Sequence, residues 1–244
     1  MKILLFGGTT EGRVLASKLV QLGVAVTVSV ATPLGKEELI DIAPLAVLVG
    51  RKGQVEMEPL VREYDCCIDA THPYAVEASK TIAAACAASN VPLRRLLRAQ
   101  SAAAGVLSVA NCRQAAEFLL HKDGNVLLAT GAKELSEFSL LDPSRLFARV
   151  LPTHEGITAC EKLGIAHKNI LALQGPFTRE MNTAMLRQYH IAWMVTKDGG
   201  AAGGFAEKLA AARNAQVQLL LIERPDGQGE SLQQIYESIR EELQ

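Results

Sequence analysis

The residues with the most evident chemistry come first in the chain. Residues 2–12 read KILLFGGTTEG: an apolar run, a glycine pair, then polar residues opening an amphipathic stretch. Ile3 to Phe6 suit a strand buried on both faces. Gly7 and Gly8 permit a tight turn with no Cβ in the way of an anion. Thr9 or Thr10, with Glu11 beside them, can open a helix whose free N–H groups and positive dipole end favour a pyrophosphate. The pattern departs from the G-x-G-x-x-G fingerprint, which would place glycines at 7, 9 and 12, because position 9 is Thr. Gly12 fits the third role, close packing of helix on strand, but the usual acidic residue about 20 positions on is missing. The second strand ends instead in Ser29-Val30-Ala31-Thr32, and the hydroxyls of Ser29 and Thr32 suit a 2′-phosphate or a 2′-hydroxyl. A strand-to-helix turn that merely needs glycine is the plain alternative to a nucleotide seat.

Further reactive side chains follow other apolar runs. After residues 66–70 comes Thr71-His72-Pro73-Tyr74, where Pro73 suits the first turn of a helix. Thr71 and His72 then lie near its cap; His72 could donate a proton or hold a carboxylate, and Tyr74 could stack on a flat ring or serve as acid. After 126–130 comes Gly131-Ala132-Lys133-Glu134, a second turn suited to an anion. Arg149 interrupts an apolar strand and needs a carboxylate, internal or from a ligand; His154 follows that strand. Gln174-Gly175-Pro176-Phe177 forms a tight turn with a ring that could cover a ligand. Lys197-Asp198-Gly199 opens a stretch with four glycines in eight residues, and Lys197 suits a ligand carboxylate. Each of these residues also has an ordinary role as cap, core or solvated charge.

The elements that must position them alternate. Strands are expected at 2–7, 24–30, 46–50, 66–70, 93–98 and 107–110, with helices near 10–22, 54–64, 74–89 and 111–121. After Asp123-Gly124-Asn125 the alternation restarts, with strands at 126–130, 146–151, 169–174, 191–196 and 216–222 and helices near 133–139, 154–163, 178–190, 203–214 and 230–243. The pattern predicts an α/β chain of two Rossmann-like open parallel sheets with helices on both faces, domains 1–122 and 123–244, and a ligand cleft between them. A (β/α)₈ barrel is the alternative. In open parallel sheets ligands gather at the carboxyl ends of the strands, where every residue singled out above is expected.

At 244 residues, 49% apolar and 21% charged, the chain can bury a core. A net charge of −1 argues against a nucleic-acid partner, and no apolar run reaches the length of a membrane span. The start runs straight into a strand, so no leader is expected and the location is expected to be cytoplasmic. The five cysteines are scattered and read as reduced core residues, with no metal site. There is no G-x-S-x-G elbow, Walker lysine or H-E-x-x-H, which weakens hydrolase and metalloenzyme readings. A monomer or weak homo-oligomer is expected.

Taken in order, LFGGTTEGR (5–13), DATHPYA (69–75), TGAK (130–133), RVLPTH (149–154), QGPF (174–177) and KDGG (197–200) resemble the precorrin-6A reductase family, including its cobalt-precorrin-6A form. The resemblance implies NADPH or NADH held mainly by the first domain. It also implies an anionic tetrapyrrole as small-molecule substrate, and hydride transfer to a conjugated ring carbon with a proton delivered to its neighbour. On that basis Gly7, Gly8, Thr9, Thr10, Glu11, Ser29, Thr32, Thr71 and His72 would meet the cofactor. Gly131, Lys133, Arg149, His154, Gln174, Gly175, Phe177, Lys197, Asp198 and Gly199 would meet the substrate, with His72 and Tyr74 as proton-donor candidates. Many family members carry an arginine just after the second strand. Here that place reads Ala31-Thr32-Pro33, which leaves NADPH or NADH open and leans toward the cobalt-containing substrate. A uroporphyrinogen III synthase-like cyclase and a non-catalytic NAD(P)-binding sensor are the competing functions.

Overall fold

The computed structural model describes residues 1–42, 44–97, 105–199, 203–224 and 228–244. They fall into two units, Met1–Ala99 with Pro225–Gln244, and Gln100–Arg224. The first unit runs β1 (Lys2–Phe6), α1 (Thr10–Gln21), β2 (Ala25–Val30), α2 (Pro33–Glu37), β3 (Ala46–Val49), α3 (Gln54–Val61), β4 (Cys66–Asp69), α4 (Val76–Ser89) and β5 (Leu93–Arg95). The second runs β6 (Leu107–Val109), α5 (Cys112–Leu119), β7 (Asn125–Ala129), β8 (Leu146–Val150), α6 (His154–Lys162), β9 (Ile170–Ala172), α7 (Arg179–Gln188), β10 (Ile191–Lys197), α8 (Phe205–Ala215) and β11 (Gln218–Ile222). A last helix, α9 (Leu232–Glu242), returns to the first unit.

The first sheet is parallel throughout, in the order β3-β2-β1-β4-β5. Its central strand reads as an unbroken apolar run because both faces are covered. Ile3 and Leu5 pack with Leu15 and Leu19 of α1 and Ile235 and Ile239 of α9. Leu4 and Phe6 face the other way, onto Met57 and Val61 of α3 and Ile82 and Cys86 of α4. Small residues in α4 (Ala85, Cys86) let that helix lie close to the sheet. The second sheet is also parallel, in the order β6-β11-β10-β7-β8-β9. One of its faces carries α7 and α8, whose Met185, Leu186, Phe205 and Ala211 bury against Leu127, Met194 and Leu219.

These are two open sheets, as the alternation predicts, and not a closed barrel. The division between units differs from a boundary at 122/123. β6 pairs in parallel with β11, so residues 107–121 enter the second unit. α9 buries Ile235 and Ile239 against α1, and Lys18 sits 5.0 Å from the Tyr236 ring, so the C-terminal helix joins the first. Residues expected as a helix at 133–139 form only a 3-10 turn, Leu135–Phe138. The helix expected from 74 starts at Val76, and Pro33 after the capping Thr32 opens a short helix that the alternation passed over. Residue 98 of the fifth expected strand and Gly200-Ala201-Ala202 of the glycine loop lie outside the described residues.

Candidate active site

In the first sheet the chain moves outward from β1 through β2 to β3, then crosses back to β4 on the other side of β1. The loops after β1 and β4 therefore leave to opposite faces, and ligands bind open α/β sheets at such a reversal. GGTTEG and DATHPYA occupy these two loops. The Gly7 N–H donates to the Ser29 carbonyl at 2.8 Å, and a Cβ on Gly7 would lie 2.8 Å from Val28 Cγ1. Gly8 has φ +129°, and the direction a Cβ would take holds no atom within 4 Å. Gly12 packs so closely on the β4 loop that a Cβ there would be 2.9 Å from the Ala70 Cβ.

Thr9 is the cap. Its Oγ1 accepts from the Gly12 N–H at 3.0 Å and donates to the Ala70 carbonyl at 2.9 Å, tying the two loops together. The hydroxyl is thereby engaged, and the backbone of the bend is what can receive an anion. A narrow cleft of about 270 Å³, its open mouth included, is lined here by Gly7, Gly8, Arg13, Gly35 and Glu38 among others. Thr10 is exposed and Glu11 half-buried in the first turn of α1, where a carboxylate suits the helix dipole. Ser29 is buried, and Thr32 caps α2 by accepting from the Gly35 N–H at 3.2 Å. The open side of Gly8, the glycine contacts and the α1 terminus fit the pyrophosphate of a dinucleotide.

The β4 loop is held by an ion pair absent from the sequence expectations. Asp69, 2% exposed, meets Arg95 Nη1 at 2.5 Å. Its Oδ1 also accepts from the Thr71 N–H at 3.0 Å and the Thr71 hydroxyl at 2.7 Å. Arg95 donates in turn to Thr71 Oγ1 at 3.0 Å, and Ser79 Oγ lies 3.2 Å from it. Thr71, expected to meet cofactor, also belongs to this network, because the buried carboxylate needs donors. His72 and Tyr74 follow on the same loop, both half-buried, with ring centroids 5.5 Å apart. The Tyr74 N–H approaches His72 Nδ1 at 3.4 Å.

The second sheet reverses between β7 and β10, and TGAKE and KDG lie at that reversal. Lys197 forms an ion pair with Glu134, so its charge is already partly matched within the protein. Cys112 Sγ lies 3.6 Å from the same carboxylate, and burial first and Glu134 second push its thiol up to about 12, which favours the protonated form. Asp198 is buried against Arg224, 3.4 Å away, and acts as a strut between β10 and β11. Gly199 is buried, and a Cβ on it would sit 3.0 Å from the Gly203 Cα. Gly131, at φ +84°, and Lys133 are exposed. The expected anion-receiving helix terminus behind Lys133 is missing, because a single 3-10 turn carries little dipole.

Arg149 finds no carboxylate among the described residues. Its Nη1 donates to Asn182 Oδ1 at 2.7 Å, and its guanidinium stacks 4.6 Å from the centre of the Phe177 ring. Burial lowers its pKa to about 10. Asn182 is held in place by donating to the Phe177 and Thr178 carbonyls at 3.1 and 2.9 Å. Gln174 and Gly175 are exposed at the head of the Phe177 turn, and His154 is the exposed first residue of α6, capped by Thr153. A broader groove of about 810 Å³, its open side included, runs along β9 and α7, but no charged side chain lines it. Asp69, Arg95, Asn182 and Lys208 carry structure or charge at these loops and were missed from sequence. Only Asp69 left a signal, an acid ending the apolar run Cys66–Ile68. Among the described residues no helix is long and apolar enough to cross a membrane, and no group of metal-ligating side chains converges.

The family described as precorrin-6x reductase CbiJ/CobK matches residues 2–242. The cobalt-precorrin-6A reductase of Priestia megaterium is 36% identical over 231 residues, covering 91% of this chain and 90% of its own. The precorrin-6A reductase of Rhodobacter capsulatus is 34% identical over 230 residues, covering 92% of this chain and 88% of its own. A solved structure titled CobK precorrin-6A reductase superposes with a TM-score of 0.81 at 29% identity, over 99% of this chain and 97% of that one.

Proposed function

The chain belongs to the precorrin-6x reductase family, an oxidoreductase family of cobalamin biosynthesis, and on that premise we propose that it reduces precorrin-6A or its cobalt complex with NADPH. Family membership sets aside the cyclase and sensor alternatives. The bend Gly7–Thr10 and the α1 terminus would hold the pyrophosphate through backbone amides. Arg13 and Thr32, at or beside the cleft lined by Gly7 and Gly35, would face the 2′-phosphate, supplying the cation that the missing arginine after β2 would otherwise give. When bound, the nicotinamide supplies the hydride for the ring. The rest of the chemistry falls to orientation and to one proton. His72 or Tyr74 would deliver that proton, since the Asp69–Arg95 pair fixes their loop beside the bend. Lys197, Arg149 and the Gln174–Phe177 turn would meet the acidic fringe and apolar face of the macrocycle.

The observation that carries the proposal is the tie from Thr9 to Ala70, which brings an open glycine bend and the His72–Tyr74 loop to one strand-order reversal. The test is to mix the purified chain with NADPH or NADH and with precorrin-6A or its cobalt complex. Nicotinamide oxidation matched by a gain of two hydrogens in the ring is expected, faster with NADPH. Arg13→Gln should narrow the gap between NADPH and NADH affinity. An equal preference for both cofactors in the unaltered chain would refute the 2′-phosphate assignment.

A further inference from the structure

Besides Arg149, a second cation sits at the carboxyl ends of the second sheet without a carboxylate in contact among the described residues. Lys208, on α8, directs its Nζ to the Gly203 carbonyl at 2.9 Å. Gly204, next to that carbonyl, packs on the Phe177 turn, where a Cβ on it would lie 3.6 Å from Pro176 Cβ and 3.9 Å from the Phe177 carbonyl, so the Lys208 contact lies beside the turn whose ring Arg149 stacks on. Burial first, and then the charge of Arg149, lower the Lys208 pKa to about 8. The nearby acids do not cancel the two. Asp198 is engaged by Arg224, and Glu207, although it favours the Lys208 charge, makes no ion pair with it and keeps a buried Oε2 without a hydrogen-bond partner among the described residues. Arg149 uses only Nη1 for hydrogen bonds among the described residues. Two desolvated cations beside one turn, with no carboxylate in contact with either among the described residues, are costly on their own. They become favourable when an anion enters.

We propose that Arg149 and Lys208 together form a carboxylate-receiving subsite that seats one acid side chain of the tetrapyrrole, with the Phe177 ring as its apolar wall. This rests on the reductase assignment and adds Lys208 to it. The parts suit a carboxylate. Asn182 fixes one edge of the guanidinium, Phe177 covers its face, and the remaining donors are left to meet an oxygen pair, with Lys208 as the second charge. A substrate bearing many carboxylates could bind in several registers, and a two-cation socket for one of them would select the register that presents the reacting carbon.

The single tryptophan, Trp193 on β10 of this unit, provides the readout, because a bound tetrapyrrole absorbs its emission. Cobalt-precorrin-6A is titrated without cofactor into the unaltered chain and into Lys208→Met, Lys208→Arg and Arg149→Met, and NADPH affinity is measured separately by nicotinamide fluorescence. Tetrapyrrole affinity should fall about tenfold in each Met variant, the loss expected for one charged hydrogen bond, and be largely kept in Lys208→Arg. NADPH affinity should not move. Unchanged tetrapyrrole affinity in Lys208→Met, which keeps the helix-forming stem of the side chain, overturns the subsite even if Arg149→Met does not fold. An equal loss of NADPH affinity overturns it too, by assigning the cations to the cofactor. If the unaltered chain neither binds nor reduces the tetrapyrrole, the reductase assignment falls with it; if it does both and Lys208→Met matches it, the subsite alone falls.

Discussion

Gly12→Ala tests whether the dinucleotide bend depends on how closely α1 lies on β4. The new methyl would sit 2.9 Å from the Ala70 Cβ and 3.2 Å from Thr9 Oγ1. Carbon atoms in contact prefer about 3.5–4.0 Å, so the start of α1 must withdraw by roughly 0.6–1 Å. Overpacking of this kind costs about 1–3 kcal/mol. Alanine is better than glycine in a helix by about 1 kcal/mol, which offsets part of it. The net loss of folding stability is therefore small, roughly 0–2 kcal/mol, while the displacement falls on the amides that would receive the pyrophosphate and on the Thr9 cap. NADPH affinity should drop about tenfold or more, each tenfold being about 1.4 kcal/mol. Urea unfolding of the free protein measures the first quantity and nicotinamide fluorescence titration the second. Adding Ala70→Gly removes the methyl that is struck but keeps the carbonyl that accepts from Thr9, so the double variant should recover most of the affinity. NADPH affinity within about twofold of the unaltered chain, or no recovery in the double variant, would refute the packing explanation.

Asp69→Ala strips Arg95 and Thr71 of their acceptor inside the first unit; a loss of about 3–5 kcal/mol is expected for breaking such a buried pair, read by urea unfolding. Lys208 yields a pH prediction. Its pKa is lowered in the folded protein to about 8 from 10.5, by burial first and Arg149 second, against the opposing pull of Asp198 and Glu207. The unfolded chain therefore binds more protons between those values, and this group adds stability as pH rises from about 8 to 10.5. The buried thiols Cys66 and Cys112, raised to about 11 and 12, act in the opposite sense as pH passes 9. The clean measurement is thus the difference in unfolding free energy between the unaltered chain and Lys208→Met at pH 7.5 and 9.5, in which the unaltered chain should gain on the variant. Glu134→Gln removes the carboxylate paired with Lys197. Tetrapyrrole affinity should rise about two- to fivefold at low salt and the gain should shrink as salt screens it; an affinity that falls would remove Lys197 from substrate binding.

Much of this was legible because parallel α/β architecture is written locally. Ile3–Phe6 read as a two-faced buried strand and are one, and the 10–22 and 54–64 periodicities became α1 and α3. The glycine bend announced itself through residue types alone, since only glycine accepts φ +129° at position 8 and the contact at position 12. What the sequence could not state is which strand lies beside which. A parallel strand carries no mark of its partner, so the pairing of β6 with β11 and the return of α9 to α1 emerged only when apolar surfaces far apart in the chain were buried together. The same holds for charge. Sequence showed an arginine in a strand and lysines after strands, but partners are set by distance in space. Lys197 and Glu134 are 63 residues apart, Arg95 and Thr71 are 24 apart, and Arg149 and Lys208 come to the same Phe177 turn only because β8 and the start of α8 share one end of a sheet. Residue type determines which chemistry is available; the packing of distant segments determines which of those side chains are already satisfied and which still need a ligand.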